Sequence, residues 1–123
     1  MKYKRLGRTG LQVTENSFGA LPVQRVSTEE GAALLRKAFD AGINFFDTAR
    51  AYSDSEEKIG LGLSPVRDKI ILATKTMDRT RKGALEQLET SLRNMKTDHV
   101  DIWQLHNIPA LPDTQDPEGA YQA

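Results

Sequence analysis

Lys69-Ile70-Ile71-Leu72-Ala73-Thr74 is a near-continuous apolar run of strand length, the pattern of a strand covered on both faces in a parallel sheet. Outward from it, similar runs alternate with helical patterns. Upstream, Ile43-Asn44-Phe45-Phe46 makes a shorter strand ending at Asp47, and Asn16-Ser17-Phe18-Gly19-Ala20 a brief one closed by Leu21-Pro22. Downstream, Val100-Asp101-Ile102-Trp103-Gln104-Leu105 is the next strand. Leu34, Leu35, Ala38 and Phe39 form the apolar stripe of a helix over 28–41, opened by a Ser27–Glu30 capping box and closed by Gly42. A short helix over 55–62 is capped by Ser55, with Glu56 and Glu57 at the positive end of its dipole. Leu85, Leu88, Leu92 and Met95 mark a third helix over 80–96. Before all of these, Lys4 to Val13 reads as a hairpin whose turn uses Gly7 and Gly10.

Strands alternating with helices predict a parallel sheet joined by right-handed crossovers. Ala20, Asp47, Lys75 and His106 stand at or just past successive strand ends, spaced by about 30 residues, the length of one strand–helix unit. That period suits a (β/α)8 barrel, which needs typically about 250 residues. The chain has 123. The expectation is therefore one partial domain, 1–123: a hairpin and about four βα units, the N-terminal half of a barrel truncated at its C-terminus. Pro109, Pro112 and Pro117 make 107–117 a loop, and Asp116-Pro117-Glu118 reads as the start of a further helix.

Composition narrows the function. Lys+Arg at 17 equals Asp+Glu at 17, and no long basic run exists, which argues against a nucleic-acid or acidic-membrane partner. With no cysteine, disulfides, thiol catalysis and iron–sulfur ligation are excluded within these residues, and a metal site is not expected. No apolar run approaches the roughly 20 residues of a membrane span. The cytosol is the expected compartment.

Chemistry-bearing residues gather at the strand ends. Parallel strands point one way, so Asp47, Lys75 and His106 should share the face that carries the active site in barrels. Tyr52, from the loop after Asp47, can fold back over it. A phenol is a poor acid at neutral pH, but a neighbouring ammonium stabilises the phenolate and eases proton release. Asp47 would keep Lys75 charged and aimed, and His106 would hold a carbonyl oxygen against the phenol. This constellation fits proton donation to a carbonyl, with a hydride still to be supplied.

The segment Gly42-Ile43-Asn44-Phe45-Phe46-Asp47-Thr48-Ala49-Arg50-Ala51-Tyr52, with Ser55-Glu56 and Gly60, closely resembles the signature of the aldo-keto reductases. Ala73-Thr74-Lys75-Thr76 is similar to that family's lysine segment, and Leu88 to Leu92, Thr97-Asp98 and Gln104-Leu105-His106-Asn107 to its histidine segment. The likeness covers about residues 2–108. It implies a (β/α)8 barrel with an N-terminal hairpin that reduces a small aldehyde or ketone with NADPH or NADH. By that resemblance Tyr52 is the proton donor, Lys75 activates it, Asp47 pairs with Lys75, and His106 orients substrate. Asn107 would lie near substrate and nicotinamide, with Gly19 and Ala20 along the cleft floor and Asp47 also near the cofactor. Pro22-Val23-Gln24-Arg25-Val26 resembles members with a ferredoxin-like extension, although no cluster ligand is present.

Family members run to roughly 300 residues and grip the cofactor's phosphates with loops after the late strands, where barrels commonly bind phosphate. These 123 residues are accordingly expected to hold the catalytic tetrad and to be inactive alone. Two other readings compete. One is a catalytically silent half-barrel that associates through its exposed strand edges. The other is an isomerase or aldolase using Lys75 as a Schiff-base amine, which the Asp47 partner disfavours. Gly60-Leu61-Gly62 is read as helix packing or termination, Arg79, Arg81 and Lys82 as a solvated cluster, and Trp103 as core.

Overall fold

The computed structural model describes all residues, 1–123. Strands β1 (Tyr3–Arg5) and β2 (Gln12–Thr14) form an antiparallel hairpin. Its turn places Gly7 and Gly10 at φ +53° and +80°, values that a side chain would strain. A second sheet follows, built from β3 (Phe18–Gly19), β4 (Phe45–Asp47), β5 (Ile71–Thr76) and β6 (Ile102–Leu105). These strands pair in parallel in chain order, β3-β4-β5-β6. Helices α1 (Thr28–Asp40), α2 (Ser55–Leu63) and α3 (Arg81–Met95) make the crossovers. The architecture is the open first half of a (β/α)8 barrel preceded by a hairpin.

Strand parity sorts the side chains. Phe46 and Leu72 face the helices and meet Leu35, Ile59, Leu63 and Met95 in one buried cluster. Asp47 pairs in register with Ala73, and Lys75 with Gln104, so these residues share the opposite face, the one that lines a barrel's interior. The hairpin packs at the N-terminal end of the sheet. Asn44, just before β4, accepts from Thr14 N at 2.8 Å and donates to Gln12 O at 2.9 Å. The C-terminal rim is thereby left open.

The helices approach closely through glycines. A Cβ on Gly60 would lie 2.3 Å from Asn94 O, and one on Gly62 would lie 2.5 Å from Ala32 O. Gly60-Leu61-Gly62 is thus a packing device within α2. Helix α1 carries the full capping box, Glu30 N donating to Ser27 Oγ and Ser27 N to Glu30 Oε2.

Several expectations are corrected. The run beginning at Lys69 enters the sheet only at Ile71, because Ser64–Lys69 forms a 3-10 segment. Ser55 does not cap α2; it is the first helical residue, and its buried hydroxyl bonds Thr48 Oγ1 and Ala20 O. Leu34 faces outward, since the contact with α2 runs along Gly31, Ala32 and Leu35. No α-helix starts at Asp116. That carboxylate accepts from Glu118 N in a turn, and a three-residue 3-10 helix, Ala120–Gln122, ends the chain. Trp103 is half-buried and lies outside the core cluster. No helix is long and apolar enough to cross a membrane.

Candidate active site

Strands β4, β5 and β6 bring the expected residues to one rim. Lys75 Nζ donates to Asp47 Oδ2 at 2.6 Å and to Thr48 O at 2.7 Å. A lysine lodged this deep must be paired or lose its charge, and the carboxylate and carbonyl together hold the ammonium. Its Nζ also lies 5.2 Å from the centroid of the Tyr52 ring, within cation–π range. Tyr52 in turn meets His106 edge to face, with centroids 5.4 Å apart and an interplanar angle of 85°. Asp47, Tyr52, Lys75 and His106 therefore form one contiguous group. The Tyr52 hydroxyl makes no hydrogen bond within the chain, so Lys75 meets the phenol through its ring.

The loop carrying Tyr52 is tightly held. Arg50 N donates to Lys75 O at 3.1 Å, and Arg50 Nη2 to Ser53 O at 2.9 Å. Arg50 Nη1 also pairs with Glu56, a carboxylate with no exposed surface. Glu56 further accepts from Thr74 Oγ1 at 2.8 Å and Asn94 Nδ2 at 3.2 Å. This buried group ties the Tyr52 loop to β5 and α3. Ser53 is bent to φ +38° beside Tyr52.

His106 follows β6, its N–H donating to Thr76 O at 2.9 Å. Burial, the Lys75 ammonium and the Arg79 guanidinium depress its pKa below the ordinary 6.5, against the opposing pull of Asp47. Its Nδ1 is buried without a partner. Orphaned buried N–H groups are rarer than under-satisfied acceptors, so the unpartnered Nδ1 favours the neutral tautomer with its proton on Nε2.

The remaining expected residues are placed unequally. Asn107 is exposed at φ +52°, and Gly19 is exposed at the end of β3. Ala20 has no exposed surface; its N–H donates to Asp47 O at 2.8 Å. Ala20 thus supports Asp47 from below. Sequence reasoning missed Gln104, whose Nε2 lies 3.5 Å from Asp47 Oδ1; it is the β5–β6 register that sets Gln104 beside Lys75. It also missed Arg79, which is not simply solvated but donates to His106 O. No group of three or more His, Cys, Asp or Glu is placed to hold a metal ion.

The comparisons with known proteins point to one family. The family model described as "Aldo/keto reductase family" matches residues 14–118. A "Probable voltage-gated potassium channel subunit beta" of Oryza sativa subsp. japonica is 34% identical over 126 residues, covering 89% of this chain and 38% of the relative. L-galactose dehydrogenase of Arabidopsis thaliana is 34% identical over 123 residues, covering 88% of this chain and 39% of the relative. A crystal structure of an aldo-keto reductase from Klebsiella pneumoniae in complex with NADPH superposes with a TM-score of 0.79 at 27% identity, covering 90% of this chain and 41% of that one. The chain spans about two fifths of the length of these relatives. With the family's model matched over residues 14–118 and relatives 34% identical along most of its length, this chain belongs to the aldo/keto reductase family.

Proposed function

We propose that these residues form the catalytic half of a reductase that converts an aldehyde or ketone to an alcohol using NADPH or NADH, with Tyr52 as proton donor. The observation that carries this reading is the contact of Lys75 with both Asp47 and the Tyr52 ring, with His106 edge-on to the same ring. The rim suits the reacting end of the cofactor: exposed Asn107 and Gly19 offer uncharged hydrogen-bonding groups beside the tetrad. When bound, the nicotinamide supplies a hydride to the carbonyl carbon. His106, neutral with its proton on Nε2, donates to the carbonyl oxygen and holds it near the phenol. Tyr52 gives that oxygen its proton as negative charge develops there. Lys75 stabilises the resulting phenolate, and Asp47 keeps the ammonium charged and in place. Solvent then restores the phenol proton.

The phosphate-gripping loops belong to later strands by the family resemblance, so the 123 residues alone do not turn over. Titration of NADPH against this chain, read by Trp103 emission, should show no saturable binding. In a protein carrying the complete barrel, Tyr52→Phe should lower kcat by about 10²–10⁴-fold. An unchanged kcat/KM would remove Tyr52 from the acid role.

One observation favours the silent-module reading as second choice: β3 and β6 are both edge strands without an outer partner. Such edges invite pairing. Light scattering of the 123-residue chain should show association, and a monomer would end this reading.

A further inference from the structure

Arg79 lies in the β5–α3 loop, outside the strand ends, yet its guanidinium donates to the carbonyl of His106. Its backbone is fixed from both sides. Asp78 Oδ1 accepts from Thr80 N at 2.8 Å and Thr80 Oγ1 at 2.7 Å, and Thr80 caps α3 through Gly83 N. From the other side, Ala120 N donates to Arg79 O at 3.0 Å, Arg81 N to Glu118 O at 2.7 Å, and Thr80 bridges Gly119. An exposed arginine on so restrained a loop can act as a fixed strut. Its target is a turn: Asn107 takes a left-handed φ of +52°, a region that few non-glycine residues enter and that asparagine enters most readily. The carbonyl Arg79 grips belongs to the peptide joining His106 to Asn107.

We infer that Arg79 is a positioning residue that clamps the His106–Asn107 turn and thereby aims the imidazole at the Tyr52 ring. This rests on the reductase reading for its catalytic meaning, but not for its structural test. The groups facing the imidazole are Tyr52 from the β4–α2 loop, Asp47 from β4, Lys75 from β5 and Arg79 itself. Arg79 adds to the positive charge that, with burial, keeps the ring neutral. Clamp and charge therefore act on one side chain.

The test uses the 123-residue chain, whose only histidines are His99 and His106, so imidazole NMR signals are few and His99 serves as internal reference. In Arg79→Met the His106 titration midpoint should move up while that of His99 stays. The nuclear Overhauser contact between the Tyr52 and His106 rings should weaken. Arg79→Lys, which keeps a charged donor, should restore both. A His106 midpoint and ring contact identical to the parent's in Arg79→Met would overturn the inference. If Arg79→Met does not fold, Arg79→Leu, which likewise has neither charge nor donor, carries the same two requirements. In a protein with the complete barrel, Arg79→Met should lower kcat/KM by about 10- to 100-fold, the scale of a small misplacement of a reacting group, and Arg79→Lys should recover most of it. Failure of the reductase reading would abolish turnover in the parent too, and would leave the two NMR readouts unaffected.

Discussion

Lys75 reaches Asp47 across adjacent parallel strands with a 2.6 Å hydrogen bond, because Asp47 registers with Ala73 and Lys75 lies two residues further along the same face. The pair is only partly exposed, 13% for Lys75 and 33% for Asp47. It is therefore less screened than a surface ion pair. This bond fixes the ammonium beneath the Tyr52 ring. In the complete barrel, Lys75→Met should lower kcat by about 10²-fold or more, with KM changed far less, the pattern of a contact used mainly in the transition state. Asp47→Asn keeps an acceptor while removing the charge, and should cost less than Lys75→Met. Steady-state kinetics on both variants decides it; an Asp47→Asn effect larger than that of Lys75→Met would mean that the carboxylate has its own role.

His106 makes stability depend on pH. Its folded pKa lies below the ordinary 6.5 because burial, Lys75 and Arg79 outweigh Asp47. Below about 6.5 the unfolded chain takes up a proton that the folded chain refuses, so unfolding binds protons and stability decreases as pH is lowered. The loss begins as pH drops through the unfolded value and levels off below the depressed folded one. Urea unfolding between pH 8 and pH 5 should show this decline, and His106→Gln should flatten part of it. An equal slope in parent and variant would place the proton uptake elsewhere.

The order of strands and helices is legible in the sequence because each helix buries one face and each strand is covered on the helix side. Boundaries are less so. Ile70 is buried in the same core as Leu72, so hydrophobicity alone cannot tell the end of the 3-10 segment from the start of β5. Asp47, Lys75 and His106 could be picked out because strand direction alone brings them to one rim. Gln104 required the register, which no local pattern carries. Arg79 and Glu56 were hidden differently. Each makes contacts across 18 or more positions, Glu56 with Thr74 and Asn94, and Arg79 with His106. A charged residue in a charged neighbourhood looks solvated until the fold shows what it touches.

Glu56 is the most demanding buried group near the site. Removing one partner of a buried, hydrogen-bonded ion pair leaves the others desolvated and unsatisfied. Glu56→Ala would strand Arg50, the Thr74 hydroxyl and the Asn94 amide at once. The expected loss is about 3–5 kcal/mol, measured by urea denaturation. Glu56→Gln retains the acceptor oxygen and should lose less. A loss below about 1 kcal/mol in Glu56→Ala would show that water replaces the carboxylate.

Gly62→Ala sets two local rules against each other. Within a helix, replacing glycine with alanine should stabilise by about 1 kcal/mol from propensity alone. The new Cβ, however, would stand 2.5 Å from Ala32 O and 3.1 Å from Ala32 Cα. These are backbone atoms of α1, which cannot swing aside like a side chain, so α1 and α2 must separate. Overpacking of this kind costs typically about 1–3 kcal/mol, and here it also draws Leu35 and Ile59 apart in the shared core. The packing cost should outweigh the propensity gain, and Gly62→Ala should unfold at lower urea than the parent. Because the 3-10 segment after Gly62 leads directly into β5, the same substitution should loosen Lys75 against Asp47. An increase in stability would mean that the helices part without cost, and that the glycine serves no packing role.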